Sequence, residues 1–200
     1  MLPVTVVVEG STDLPVLSRV LEFVDCSIDV AHGQRGKADI DRNIRGYNSA
    51  ARFSPWIILR DLDDDAPCAP VLVSRILAAP SSWMRLRIAV RAIESWLLAD
   101  AETLSDYLRI RRALVPTDPE ALADPKGSLV DLARRSRLSA IRADMVPSAG
   151  VTSRVGPAYP SRVAEFARTL WRPEVARQHS ESLQHCIDSV RSLKRAFENR

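Results

Sequence analysis

Hydrophobic residues in the first half of the chain occur mainly in three short runs, separated by segments with a helical pattern. The runs near 4–8, 56–61 and 86–91 are rich in Val, Ile and Leu, which is typical of buried parallel strands. The short, more polar segment near 27–31 is interpreted as the second strand. Between the predicted strands, apolar residues recur every three or four positions, as on one face of a helix. Strands that alternate with helices predict an α/β fold with a mainly parallel four-stranded sheet flanked by helices.

Most of the second half of the chain has the spacing of helices, and a Pro- and Gly-containing segment over 144–160 predicts a loop between them. Asp124-Pro125 has the order expected where a helix begins, and apolar residues recur at helical spacing over 161–171 and 180–197. We therefore expect an α/β core over residues 1–100 and a helical C-terminal region over residues 101–200 that packs on this core.

Acidic residues follow two of the predicted strands. The run Asp61-Leu62-Asp63-Asp64-Asp65 comes directly after the third strand, and Glu9 follows the first. Because the carboxyl ends of parallel strands lie at the same edge of a sheet, Glu9, Asp61 and Asp63 are expected to converge there. Hard divalent cations such as Mg²⁺ prefer carboxylate oxygens. The pattern therefore predicts a metal site and, through it, phosphate chemistry.

Other interpretations of these acidic segments are a helix start with Asp13 in its first turn and a solvated turn at 61–65. An EF-hand is excluded, because that loop requires Gly where Ala66 stands and Glu where Leu72 stands. A haloacid-dehalogenase-like phosphatase usually has its DxD pair after the first strand, whereas here the pair follows the third. The chain has no GxxxxGK[ST] phosphate loop.

Charge and cysteine content refine this interpretation. Residues 1–100 contain 11 basic and 13 acidic residues, whereas residues 101–200 contain 17 and 12, so the second half is basic and compatible with a polyanionic partner. The three cysteines are scattered without the spacing of metal ligands, which favours free thiols in a reducing compartment. No signal-peptide pattern occurs at the N-terminus. We expect a cytoplasmic protein.

Three segments in order carry a resemblance to a known family. VVVEGSTD, IILRDLDDD and AIESWLLAD resemble the Toprim fold of topoisomerases, bacterial primases and overcoming-lysogenization-defect nucleases. Among these, the chain looks most like a group of small standalone bacterial Toprim-like proteins. The resemblance covers residues 4–100 and extends more loosely to Lys126.

The resemblance implies a nuclease that depends on Mg²⁺ or Mn²⁺. Glu9, Asp61 and Asp63 are similar to the catalytic acidic residues, and Lys126 to a basic residue near the scissile phosphate. The residues implied as metal ligands are Glu9, Asp13, Asp61, Asp63 and Glu94. Alternatively, Glu94 supports its helix through a hydrogen bond, and Lys126 is an exposed lysine at a helix start. Arg60 and Arg91 are further cations that can counter phosphoryl charge.

The expected reaction is phosphodiester hydrolysis of DNA or RNA. The candidates for contacts with the phosphate backbone of DNA or RNA lie in the basic half of the chain. They are Arg134, Arg135, Arg137 and Arg142. Proteins similar to this family often form half of a two-protein bacterial defence system whose other half is an ATPase. Two alternatives stay open: a metal-assisted phosphoryl or nucleotidyl transferase acting on a small molecule, and a non-catalytic effector that binds a nucleotide or a protein.

Overall fold

A computed structural model describes all 200 residues and contains one four-stranded parallel sheet. Its strands are β1 (Leu2–Val8), β2 (Cys26–Gly33), β3 (Trp56–Asp61) and β4 (Met84–Ala89). They lie in the order β2-β1-β3-β4, and each neighbouring pair is parallel. The predicted α/β fold with a four-stranded sheet flanked by helices is confirmed.

Ten α-helices complete the fold, most of them in the second half, as the helical spacing predicted. They are α1 (Asp13–Phe23), α2 (Lys37–Ala50), α3 (Ala69–Ile76), α4 (Glu94–Leu98), α5 (Ala101–Leu108), α6 (Pro125–Arg134), α7 (Ser139–Met145), α8 (Tyr159–Thr169), α9 (Pro173–Ala176) and α10 (Glu181–Glu198). Two 3₁₀ turns lie at Arg112–Leu114 and Pro119–Ala121. None of the helices combines the length and the apolar character needed to cross a membrane.

The two central strands, β1 and β3, are buried on both faces of the sheet, whereas the edge strand β2 is largely exposed. Val7 and Ile58 pack in a core with Ile40 and Ile44 of α2 and Leu72 of α3. Successive side chains of a strand point to opposite faces, and the alternate positions of β1 and β3 are equally inaccessible to solvent. Burial on both sides explains why these strands appear in the sequence as continuous apolar runs.

The chain forms two compact units. One consists of Met1–Val90 together with Glu181–Arg200, and the other of Arg91–Ser180. We call them the sheet unit and the helical unit. Helix α10 belongs to the sheet unit because its apolar stripe is buried and it contacts β4 and α1. The structure thus has boundaries at residues 90 and 180, whereas the sequence suggested one boundary after residue 100.

Candidate metal centre

The ends of β1 and β3 bring Glu9 and Asp61 together. The two strands are paired over Thr5–Val7 and Trp56–Ile58, so the residues that follow them lie at the same edge of the sheet. The backbone N–H of Asp61 donates a hydrogen bond of 2.8 Å to Glu9 Oε1. The convergence expected for these two strand ends is therefore present.

Burial and neighbouring carboxylates perturb Glu9. Its pKa is raised from 4.5 to about 7, mainly because burial disfavours the charged form. The Asp61 N–H and the positive charge of Arg60 act in the opposite direction, while the negative charges of Asp63 and Asp13 raise the pKa further. A carboxylate in this position is poised to gain from any cation that binds beside it.

Asp13 is buried at the start of α1, near Glu9. Its carboxylate accepts hydrogen bonds from the Gly10 N–H, at 2.8 Å, and from the Thr12 hydroxyl, at 3.1 Å. These bonds hold the turn that follows β1. Asp13 therefore has a structural role in the turn, and it also adds negative charge close to Glu9.

Lys37, at the first position of α2, makes ion pairs with the acidic run. Its Nζ lies 2.7 Å from Asp63 Oδ2 and 2.8 Å from Asp65 Oδ2. These contacts raise the pKa of the lysine to about 12, so it is fully charged at neutral pH. Lys37 supplies a tethered positive charge to two carboxylates of the run.

The loop between β2 and α2 carries Lys37 to this edge. Gly33 has a positive φ of 89°, and a Cβ on it would lie 2.3 Å from the Val8 carbonyl oxygen, so only glycine fits. The Gln34 N–H donates to the Val8 carbonyl and the Gly36 N–H to the Glu9 carbonyl. Sequence reasoning missed Lys37, because the glycine-rich loop before it indicates a turn but not the carboxylates that the lysine reaches.

Arg60 forms a buried network behind the acidic run. It is 3% exposed, and it donates two 3.0 Å bonds to the Asp41 carboxylate and one of 2.9 Å to Asp65. A fourth bond reaches the Asp61 carbonyl oxygen. Its guanidinium therefore stabilises the turn that carries Asp61. The sequence had suggested Arg60 as a cation for phosphoryl oxygens, and these four bonds give it a structural role instead.

In the helical unit, Glu94 and Lys126 contact each other. Glu94 is fully buried, and its Oε1 lies 3.5 Å from Lys126 Nζ and accepts a 3.0 Å hydrogen bond from the Tyr159 hydroxyl. Lys126 is itself partly exposed. These contacts favour the alternative in which Glu94 is a supporting residue, here one that holds Lys126. No sequence signal indicated Tyr159, which lies 65 residues from Glu94.

The rest of the AIESWLLAD segment stabilises the helical unit. Trp96 is fully buried, and its carbonyl accepts a 3.0 Å hydrogen bond from Trp171 Nε1. Asp100 caps α5 at Thr103 and binds the Arg172 guanidinium through both carboxylate oxygens. Most of this motif is therefore accounted for by packing and capping.

The four arginines predicted to contact nucleic acid have different environments. Arg134 lies 3.6 Å from Asp131 in an exposed ion pair, and Arg142 donates to the Ser136 carbonyl at the end of the preceding turn. Arg135 is exposed. Arg137 lines a surface cavity.

The oxygen ligands available at the edge of the sheet unit suit a hard cation. No group of three or more His, Cys, Asp or Glu side chains is arranged so that it could hold a metal ion as it stands. The donor chemistry nevertheless fits Mg²⁺ or Mn²⁺, because Glu9 is half-buried beside further carboxylates that raise its pKa. Asp63 would have to exchange its Lys37 contact for the metal.

The raised pKa of Glu9 predicts that the stability of the protein depends on pH. Because its pKa in the folded protein is raised from 4.5 to about 7, the folded protein retains a proton that the unfolded chain loses over this range. The contribution of Glu9 to the free energy of unfolding is therefore complete below about pH 4.5 and is lost as the pH rises to about 7. A Glu9→Gln variant stays neutral and retains an oxygen acceptor for the Asp61 N–H.

We expect the variant to gain stability relative to the native protein as the pH rises through this window and the gain to level off above it. Denaturant titrations at several pH values measure the difference in free energy of unfolding. A difference that is constant with pH would contradict the raised pKa of Glu9.

Comparison of the chain with protein-family models, with curated proteins and with solved structures gives no match.

Proposed function

We propose that this protein is a divalent-metal-dependent nuclease that hydrolyses phosphodiester bonds in DNA or RNA. The observation that carries the proposal is the contact between Glu9 and Asp61 at adjacent parallel strand ends. Glu9 is half-buried there, and its pKa is raised by this partial burial and by the charges of Asp63 and Asp13. The resemblance to the Toprim fold supports the same assignment.

In this proposal Glu9, Asp61 and Asp63 hold a Mg²⁺ or Mn²⁺ ion, and Asp13 adds negative charge next to them. When bound, such a metal lowers the pKa of an attacking water and stabilises charge on the phosphoryl oxygens. Arg60 keeps the Asp61 turn in place through its four hydrogen bonds. Asp63 would exchange its ion pair with Lys37 for the metal.

Lys126 is the proposed cation for the phosphoryl oxygens. The ion pair with Glu94 restricts where its ammonium group can lie, and the hydrogen bond from the Tyr159 hydroxyl holds the Glu94 carboxylate. The role of Glu94 as a metal ligand stays a prediction, and its burial favours the role of holding Lys126. The resemblance extends the proposal to a cytoplasmic effector of a two-protein bacterial defence system with an ATPase partner.

Cleavage assays test the proposal directly. The purified chain is incubated with supercoiled plasmid, single-stranded DNA and RNA, each with Mg²⁺, Mn²⁺ or EDTA. We expect cleavage with at least one metal and none in EDTA. If no polymer is cut although Mn²⁺ binds in calorimetry, the small-molecule transferase becomes the better assignment. If neither cleavage nor metal binding occurs, a non-catalytic effector becomes the better assignment.

A further inference from the structure

We propose that Arg109, Arg111 and Arg137 form a subsite for the phosphate backbone of a nucleic acid on the helical unit. The three side chains line one surface cavity of about 420 Å³. This inference rests on the proposed function and identifies where the polymer would be held. It differs from the basic cluster expected from the sequence, of which only Arg137 belongs to this cavity.

The cavity has an excess of positive charge. Asp106 is the single carboxylate among its lining residues, against three guanidinium groups. None of the three arginines forms an ion pair within the protein, whereas Arg134, Arg162 and other basic residues of this unit do. Guanidinium groups that line the same cavity repel one another, and an anion in the cavity relieves that repulsion. Their fork of donors also matches phosphate oxygens.

Backbone geometry at Arg109 provides a second observation. The residue ends α5 in a left-handed conformation, with φ 52° and ψ 49°. Its N–H donates to the Asp106 carbonyl and the Ile110 N–H to the Ser105 carbonyl, the pattern in which glycine is usual at this position. An arginine costs conformational free energy there, so its presence favours a use for the side chain.

The negative end of the α5 dipole attracts cations, but it does not explain why all three arginines line this cavity. Arg137 comes from the segment between α6 and α7, 28 residues after Arg109. Next to it lies Leu138, which is 44% exposed although apolar, and Ile110 also lines the cavity. Guanidinium groups beside an apolar wall suit a nucleotide strand, with its phosphates on the arginines and its sugars or bases against the wall.

Salt-dependent binding tests this subsite. Anisotropy of labelled single-stranded and duplex DNA and RNA is measured in EDTA, so that hydrolysis cannot affect the result. The variant combines Arg109→Asn, which suits the left-handed backbone, with Arg111→Gln and Arg137→Gln. We expect it to bind more weakly and to lose about two to three units of the log–log salt slope, since each contact contributes about 0.7 to 0.9.

The control combines Arg42→Gln, Arg45→Gln and Arg52→Gln, which remove the same charge from exposed positions on or just after α2. We expect the control to retain the native slope. If the triple variant unfolds, Arg111→Gln and Arg137→Gln are measured singly, and each should lose about one contact. An unchanged slope in the cavity variants, or an equal loss in the control, would overturn the inference.

The same measurements separate this inference from the proposed nuclease. Binding that depends on the cavity in EDTA supports the subsite even if no substrate is ever cut, and the nuclease proposal alone would then fail. Conversely, metal-dependent cleavage together with an unchanged salt slope in the cavity variant would retain the nuclease and remove the subsite.

Discussion

Replacement of Asp61 by Asn is expected to reduce metal-dependent cleavage by at least about 100-fold. Loss of a residue that only supports a metal ligand typically costs 10- to 100-fold in affinity or activity, so loss of a ligand should cost no less. Asn retains the size of the side chain and the backbone N–H that donates to Glu9. The expected loss thus reports the missing negative charge. Cleavage rates at saturating substrate and Mn²⁺ affinities from calorimetry are the two measurements.

Asp64→Asn is the matched control, because it removes the same charge from an exposed position in the same run. Asp64→Asn should change the cleavage rate and the Mn²⁺ affinity little. Equal metal affinity and equal cleavage in the two variants would show that the run acts only through its total charge, and the specific metal centre would have to be abandoned. Similar circular-dichroism spectra and unfolding midpoints exclude loss of fold as the cause.

The position of this site follows from features that are visible in the sequence. Continuous apolar runs identify parallel strands, and parallel strands have their carboxyl ends at one edge. Glu9 and Asp61, each at or directly after a strand end, therefore had to lie at that edge. Their direct contact additionally requires β1 and β3 to be neighbours, which the strand order β2-β1-β3-β4 provides.

Side-chain partners were beyond sequence reasoning where they depend on loop conformation. The pairing of Lys37 with Asp63 spans 26 residues and requires left-handed backbone at Gly33, Gln34 and Gly36. Tyr159 reaches Glu94 from a helix that begins after a long irregular segment. Local propensity contains no information on such long-range pairs.

The return of α10 to the sheet was equally hidden. Its apolar stripe predicts a buried face, but periodicity does not identify the surface that covers it. In the structure α10 contacts β4 and α1, and the Ser182 hydroxyl accepts a hydrogen bond from the Val90 N–H at the end of β4. The sheet unit is therefore closed by a segment that follows the whole helical unit in the chain, and a linear division could not find it.

Arg60→Met is expected to destabilise the protein by about 3 kcal/mol at neutral pH. Removal of one partner from a buried ion pair leaves the others uncompensated, at a typical cost of about 3–5 kcal/mol. The lower end applies here because Asp41 and Asp65 are partly exposed and can recover some hydration. The Asp61 carbonyl also loses its donor. Denaturant unfolding of the two proteins measures the difference.

Two controls distinguish burial from charge in this prediction. Arg60→Lys retains the charge but not the planar fork that binds Asp41 twice, so we expect an intermediate loss. Lys37→Met removes a cation from the same carboxylate cluster, but its ion pairs are substantially exposed and should contribute about 0–1 kcal/mol. A loss in Arg60→Met no larger than in Lys37→Met would contradict the stabilising role of Arg60. Because Arg60 also lowers the pKa of Glu9, its removal should raise that pKa further, whereas Arg60→Lys should largely preserve it.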